Sequence, residues 1–217
     1  MAEMTGSALE LDPDQWQSRE VYGLLTSLVI PRPIAWVSTL SADGVRNLAP
    51  HSYFNLVAHD PPHLIFSSSG VKDTLRNIRE TEEFVVNIVT MDLVEKMNFT
   101  STDFPAIEDE FEWAGLDTAP SQTVGPPRVA AAKAHLECRL AEIVTAGNGY
   151  IIVGRIKHIH VDGGVLSNGR VDAEALAPVC RLAGSGYASL GPVFELARPK
   201  WEEVEGTQGQ AAMPRLG

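Results

Sequence analysis

Apolar and charged residues alternate over residues 133–144, where Leu136, Cys138 and Leu140 stand against Glu137 and Arg139. A period of two puts one set on each face of a strand. Residues 150–161 (YIIVGRIKHIHV) continue as a second strand after the turn Ala146-Gly147-Asn148-Gly149, so the two predict a hairpin. Upstream, residues 34–40 (IAWVSTL), 63–68 (HLIFSS) and 84–89 (FVVNIV) are rich in β-formers. Asp43-Gly44 predicts a tight turn into a returning strand at 45–49, which Pro50 is expected to end. Residues 51–60 read as irregular.

Helical spacing emerges in two places. Leu75 and Ile78 predict a helix over residues 72–80, with Asp73 or Thr74 as N-cap, and Leu93, Val94 and Met97 predict a second over 91–98. Residues 99–128 are acidic, aromatic and proline-rich, and predict a long excursion of the kind that covers sites. Residues 1–19 read as a polar arm, 20–198 as one domain and 199–217 as a mobile tail. Helices that sit between strands without alternating with each one predict a mainly β (α+β) fold with an antiparallel sheet.

Composition narrows the function. The formal charge is −11, which disfavours nucleic acid and anionic membrane surfaces as partners. No basic region precedes an apolar run at the N-terminus and no apolar stretch reaches membrane-spanning length, so the expectation is a cytoplasmic protein. Cys138 and Cys180 fit no disulfide framework or metal motif and read as small buried hydrophobes. His158 and His160 share a strand face without a third ligand, so no metal is expected. There is no nucleophile elbow and no supported Cys–His pair.

Four segments could carry chemistry. Residues 32–39 (RPIAWVST) end an apolar strand in two hydroxyls, Ser38 and Thr39. In residues 47–54 (NLAPHSYF), Ala49 and Ser52 are small enough to let a planar ring approach, and Asn47 and Ser52 add polar groups. In residues 67–74 (SSSGVKDT), a serine–glycine loop meets a helix start, where free amides, hydroxyls and the Lys72 ammonium suit a phosphate monoester. Residues 181–187 (RLAGSGY) place a cation and a ring around a glycine turn. Each also fits a plainer description: a strand end, a self-capped loop, a capped helix with Lys72 in water, a flexible turn.

In this order, together with Asp60-Pro61-Pro62, Lys72-Asp73-Thr74-Leu75-Arg76-Asn77-Ile78, Glu83 through Asn87 and Leu136-Glu137-Cys138, the segments resemble the flavin reductase-like family of FMN-binding split β-barrels. The resemblance implies a homodimer with FMN near the subunit interface and NADH or NADPH as co-substrate. Ser38 and Thr39, with the backbone around Trp36, would lie along the flavin and ribityl chain. Asn47, Leu48, Ala49, Pro50 and Ser52 would line the isoalloxazine edge. Ser67, Ser68, Lys72 and Thr74 would hold the phosphate, while Arg181 and Tyr187 would close the pocket from the second subunit. The flavin then carries the chemistry, taking hydride at N5, with no catalytic side chain. A monooxygenase or another electron acceptor would be the partner. An FMN-holding electron carrier and a non-redox flavin-binding module are the rival readings.

Overall fold

A computed structural model describes residues 10–206. The polar arm turns into a helix sooner than its composition implies: after a 3-10 turn at Pro13–Gln15, α1 runs over Ser18–Leu28. Its start is fixed by the Gln17 amide, which donates to the Glu20 carboxylate at 3.2 Å. Only Thr26 of this helix is buried. The chain continues through β1 (Arg32–Pro33), β2 (Ala35–Leu40), β3 (Arg46–His51), β4 (Phe54–His59), β5 (Pro62–Ser69), α2 (Asp73–Thr81) and β6 (Glu83–Ile88). A 3-10 turn leads to α3 (Val94–Phe99), then α4 (Glu110–Trp113), β7 (Thr118–Ala119) and β8 (Arg128–Val129). The long hairpin is β9 (Ala134–Ala146) and β10 (Gly149–Val161). There follow β11 (Leu166–Ser167), β12 (Arg170–Val171), α5 (Ala173–Leu176), β13 (Val179–Arg181), β14 (Tyr187–Ser189) and α6 (Trp201–Val204).

Seven strands form one antiparallel sheet in the order β3-β2-β6-β9-β10-β5-β4. It curls on itself without closing: β3 and β4 are its two edges and do not pair, so the barrel stays split along that seam. The predicted antiparallel, mainly β architecture is therefore the observed one.

Two expectations fail at the edges. Pro50 does not end its strand; it sits within β3 opposite Trp36, because an edge strand needs no second row of amides. Residues expected to be irregular form β4, paired with β5 from Phe54↔Phe66 to His59↔Pro62. A third correction concerns the cap of α2. Lys72 occupies the N-cap without a side-chain bond, and Asp73 instead pairs with Arg76 one turn on. The expected tail is not wholly irregular: Trp201–Val204 is helical, and residues 207–217 lie outside the described residues, as do 1–9 of the arm.

The period of two divides the core into two clusters. Ala35 and Val37 of β2 face inward to Phe66, Phe84, Val86, Cys138 and Ile152, with Leu75 and Ile78 of α2 closing the mouth. Trp36 and Leu48 face outward and are covered by Leu93, Met97 and Phe111. One glycine is dictated by this packing: a Cβ on Gly154 of β10 would lie 2.3 Å from the Phe84 ring. Cys138 is buried as expected, its thiol pKa pushed up by burial, whereas Cys180 is half-buried.

Candidate functional site: the cleft at the barrel seam

The split leaves a cleft of about 410 Å³ where the end of β3, the end of β5 and the start of α2 meet. That volume lies within the range of about 300–1,000 Å³ typical of cofactor sites. Asn47, Ala49, Pro50, Ser52, Ser67, Ser68, Lys72 and Thr74 all line it. Segments far apart in the sequence thus converge because β3 packs against β5 across the split.

The α2 end of the cleft suits a phosphate. The amides of Asp73, Thr74 and Leu75, in the first turn of α2, have no acceptor among the described residues. Thr74 is held by Asn47 Nδ2, which donates to its hydroxyl at 3.2 Å and to Thr39 Oγ1 at 3.2 Å. Asn77 Nδ2 also donates to Thr39, at 3.0 Å, so Thr39 braces the cluster from behind the wall. The Ser67 amide is already engaged by the Tyr53 carbonyl, and the Ser68 hydroxyl donates to the Gly70 carbonyl at 3.0 Å. Lys72 Nζ donates to Asp103 at 2.8 Å across the cleft mouth. Both are largely exposed, so this pair is weak and an incoming anion can replace it.

Trp36, Ser38, Thr39 and Leu48 are buried and do not line the cleft. They act on it through what they hold. Trp36 Nε1 donates to Thr100 Oγ1 at 2.9 Å, fixing the foot of the excursion, and Ser38 donates to the Pro127 carbonyl at 2.6 Å. Arg181 and Tyr187 lie outside the cleft, stacked on one another at 4.5 Å, with the Tyr187 hydroxyl donating to Asn98 at 2.8 Å.

Three site features, Arg32, His51 and Glu110, escaped the sequence. Arg32 is buried, not solvated; its guanidinium donates to the carbonyls of Thr26, Val29 and Leu182 and lies 3.4 Å from Ser52 Oγ. His51 lies in the cleft wall 4.8 Å from the Phe66 ring, and burial, aided by the Lys72 charge, lowers its pKa to about 4. Residues 100–104 line the mouth, as the site-covering reading of the excursion predicts. Glu110 is 6% exposed, and its Oε2 accepts from the Leu48 amide at 3.0 Å. Its sequence setting, one acid among Glu108, Asp109, Glu110 and Glu112, resembles any solvated acidic run. Arg46 clamps this segment to β3 through Asp109, at 2.5 Å, and Glu112, at 3.1 Å.

Residues 27–176 match the family described as flavin reductase like domain. The chain belongs to the flavin reductase-like family. Nitrilotriacetate monooxygenase component B from Bacillus cereus is 37% identical, with a TM-score of 0.84 over 88% of this chain and 100% of that one. The 2-nitrobenzoate 2-nitroreductase of Pseudomonas fluorescens is 32% identical, with a TM-score of 0.83 over 89% of this chain and 98% of that one. An uncharacterized protein of Halalkalibacterium halodurans is 40% identical over 203 residues, 88% of this chain and 97% of its own length. The fold is thus the flavin reductase split barrel, and membership of this family implies flavin binding. Among the described residues, no helix is long and apolar enough to cross a membrane.

Proposed function

We propose that this flavin reductase-like protein holds FMN in the seam cleft and oxidises NADH or NADPH. The observation that carries the reading is the start of α2. Three amides with no acceptor among the described residues, the Thr74 hydroxyl and the Lys72 ammonium converge on one end of a cleft whose other wall is the small-residue stretch Asn47–Ser52. The amides and Lys72 bind the phosphate, with Ser67 and Ser68 at the loop before them. Asn47, Ala49, Pro50 and Ser52 face the ring. When bound, the flavin supplies the redox chemistry, accepting hydride from the reduced nicotinamide. The protein's own part is to bind, orient and shield, and neutral His51 adds no competing charge at physiological pH.

The same reading includes a homodimer. Helix α1 has 11 residues, yet Tyr22, Leu25 and Leu28 are exposed, followed by Val29 and Ile30. An isolated amphipathic helix this short draws its stability from burying its apolar face. Tyr22 also lines the cleft, so a second copy seated on α1 would border the flavin. In that assembly Arg181 and Tyr187 would close the partner's cleft. A monooxygenase is the proposed consumer of the reduced flavin, in keeping with the name of the Bacillus cereus relative, a monooxygenase component.

The test is direct. FMN added to the purified protein should bind, and NADH or NADPH added under nitrogen should bleach the flavin absorbance within seconds. FMN binding without bleaching by either nucleotide would replace the reductase with an electron carrier.

A further inference from the structure

Among the described residues, Glu110 is the one acid of the cleft that no cation serves. Asp73 is paired with Arg76 and Asp103 with Lys72. Arg46 of β3 is committed to Asp109 and Glu112 of the α4 segment. His51, also on β3, is neutral. Glu110 therefore faces the cleft with the Leu48 amide as its inter-element donor, close enough to feel Asp73 and Asp109. A phosphate ester brings about two further negative charges into the same small volume. Like charges in a partly desolvated cleft disfavour ionisation, and a carboxylic acid, unlike a carboxylate, can also donate a hydrogen bond.

Resting on the FMN reading, we propose that Glu110 is the proton-binding group of the cleft: filling the cleft with a phosphate-bearing flavin makes this carboxylate take up one proton from water and remain a neutral acid while the ligand is bound. The balance is simple, since one carboxylate, one proton and the ligand give one carboxylic acid beside the bound ligand, and no electrons move. The empty protein is poised for this, because burial, reinforced by Asp73 and Asp109, holds the Glu110 pKa at about 7 against the opposing pull of its own amide and that of Leu48. Affinity should then fall as pH rises above neutrality, by up to about tenfold per pH unit where the uptake is complete.

The experiment is calorimetric titration of FMN into the full chain near pH 7.5, in two buffers of different ionisation heat. At that pH the phosphate of FMN is already almost fully dianionic (second pKa about 6), so it contributes little proton exchange of its own. The wild type should take up a substantial fraction of a proton, and Glu110→Gln, which keeps an oxygen for the Leu48 amide, should take up almost none while still binding FMN. FMN binding without proton uptake, or the same uptake in both proteins, would overturn the proposal and leave the cofactor reading intact. Absence of FMN binding to the wild type would overturn both. Should Glu110→Gln not fold, the infrared difference spectrum of the wild type on FMN addition decides instead: a new protonated-carboxyl stretch is expected, and its absence refutes.

Discussion

Glu110 and Glu137 are both buried glutamates beside loops of the same excursion, and they behave in opposite ways. Glu137 on β9 is 0% exposed, yet it accepts from the Gln122 amide, the Thr123 amide, the Thr123 hydroxyl and His160 Nε2, all within 2.8 Å. Burial alone would raise its pKa; those donors outweigh it and hold the pKa at about 2. Glu110 keeps one inter-element donor, and burial pushes it up to about 7. Burial is the same in kind at both places, so the number of donors decides the charge state. The first acid is a fastener for residues 120–128, whereas the second remains free to change protonation.

Glu137→Ala should have the largest effect in this comparison. It strands four donors, and equilibrium urea unfolding should show a loss of about 3–5 kcal/mol. A loss below about 1 kcal/mol would mean that the loop is not fastened there. The pH dependence of stability should separate the two acids next. The folded pKa of Glu137 is depressed, so its contribution, on the order of 3 kcal/mol, is present above the unfolded value of 4.5 and lost as pH falls toward 2. The folded pKa of Glu110 is raised, so its effect has the opposite sign: stability is lost as pH rises from 4.5 through about 7. Glu110→Gln should therefore match the wild type near pH 4 and exceed it at pH 8, by up to about 3 kcal/mol in urea titrations. A constant offset at both pH values would contradict this. The smallest effect is expected at the cleft mouth. Lys72→Ala should weaken FMN binding about tenfold, roughly 1.4 kcal/mol, measured by flavin fluorescence quenching. Unchanged affinity would remove Lys72 from the phosphate site.

Much of the fold is legible in the chain because strand alternation is local. The β9–β10 hairpin, β2, β5, β6, α2 and α3 all follow from periodicity and turn residues. The failures arise where tertiary placement overrides local rules. Pro50 breaks a central strand but is harmless at an edge, and edge status is a property of the whole sheet. β4 carries exposed residues from Asn55 to His59, so it lacks the buried face that makes a strand recognisable. α1 is hidden for a similar reason, since its leucines join no core cluster among the described residues. The phosphate end of the cleft could be anticipated because a serine–glycine loop and a helix start are adjacent in sequence. Glu110 could not, because its burial depends on an Arg46 clamp that spans 63 residues to Asp109.

The unpaired seam also governs how a ligand comes and goes. Because β3 and β4 share no ladder, the barrel can widen there without breaking a backbone bond between strands. The Leu48 amide on Glu110 and the Lys72–Asp103 pair tie the excursion to the cleft walls. On the proposed reading, a flavin in the cleft would reach the surrounding solution at this seam without parting any paired strands.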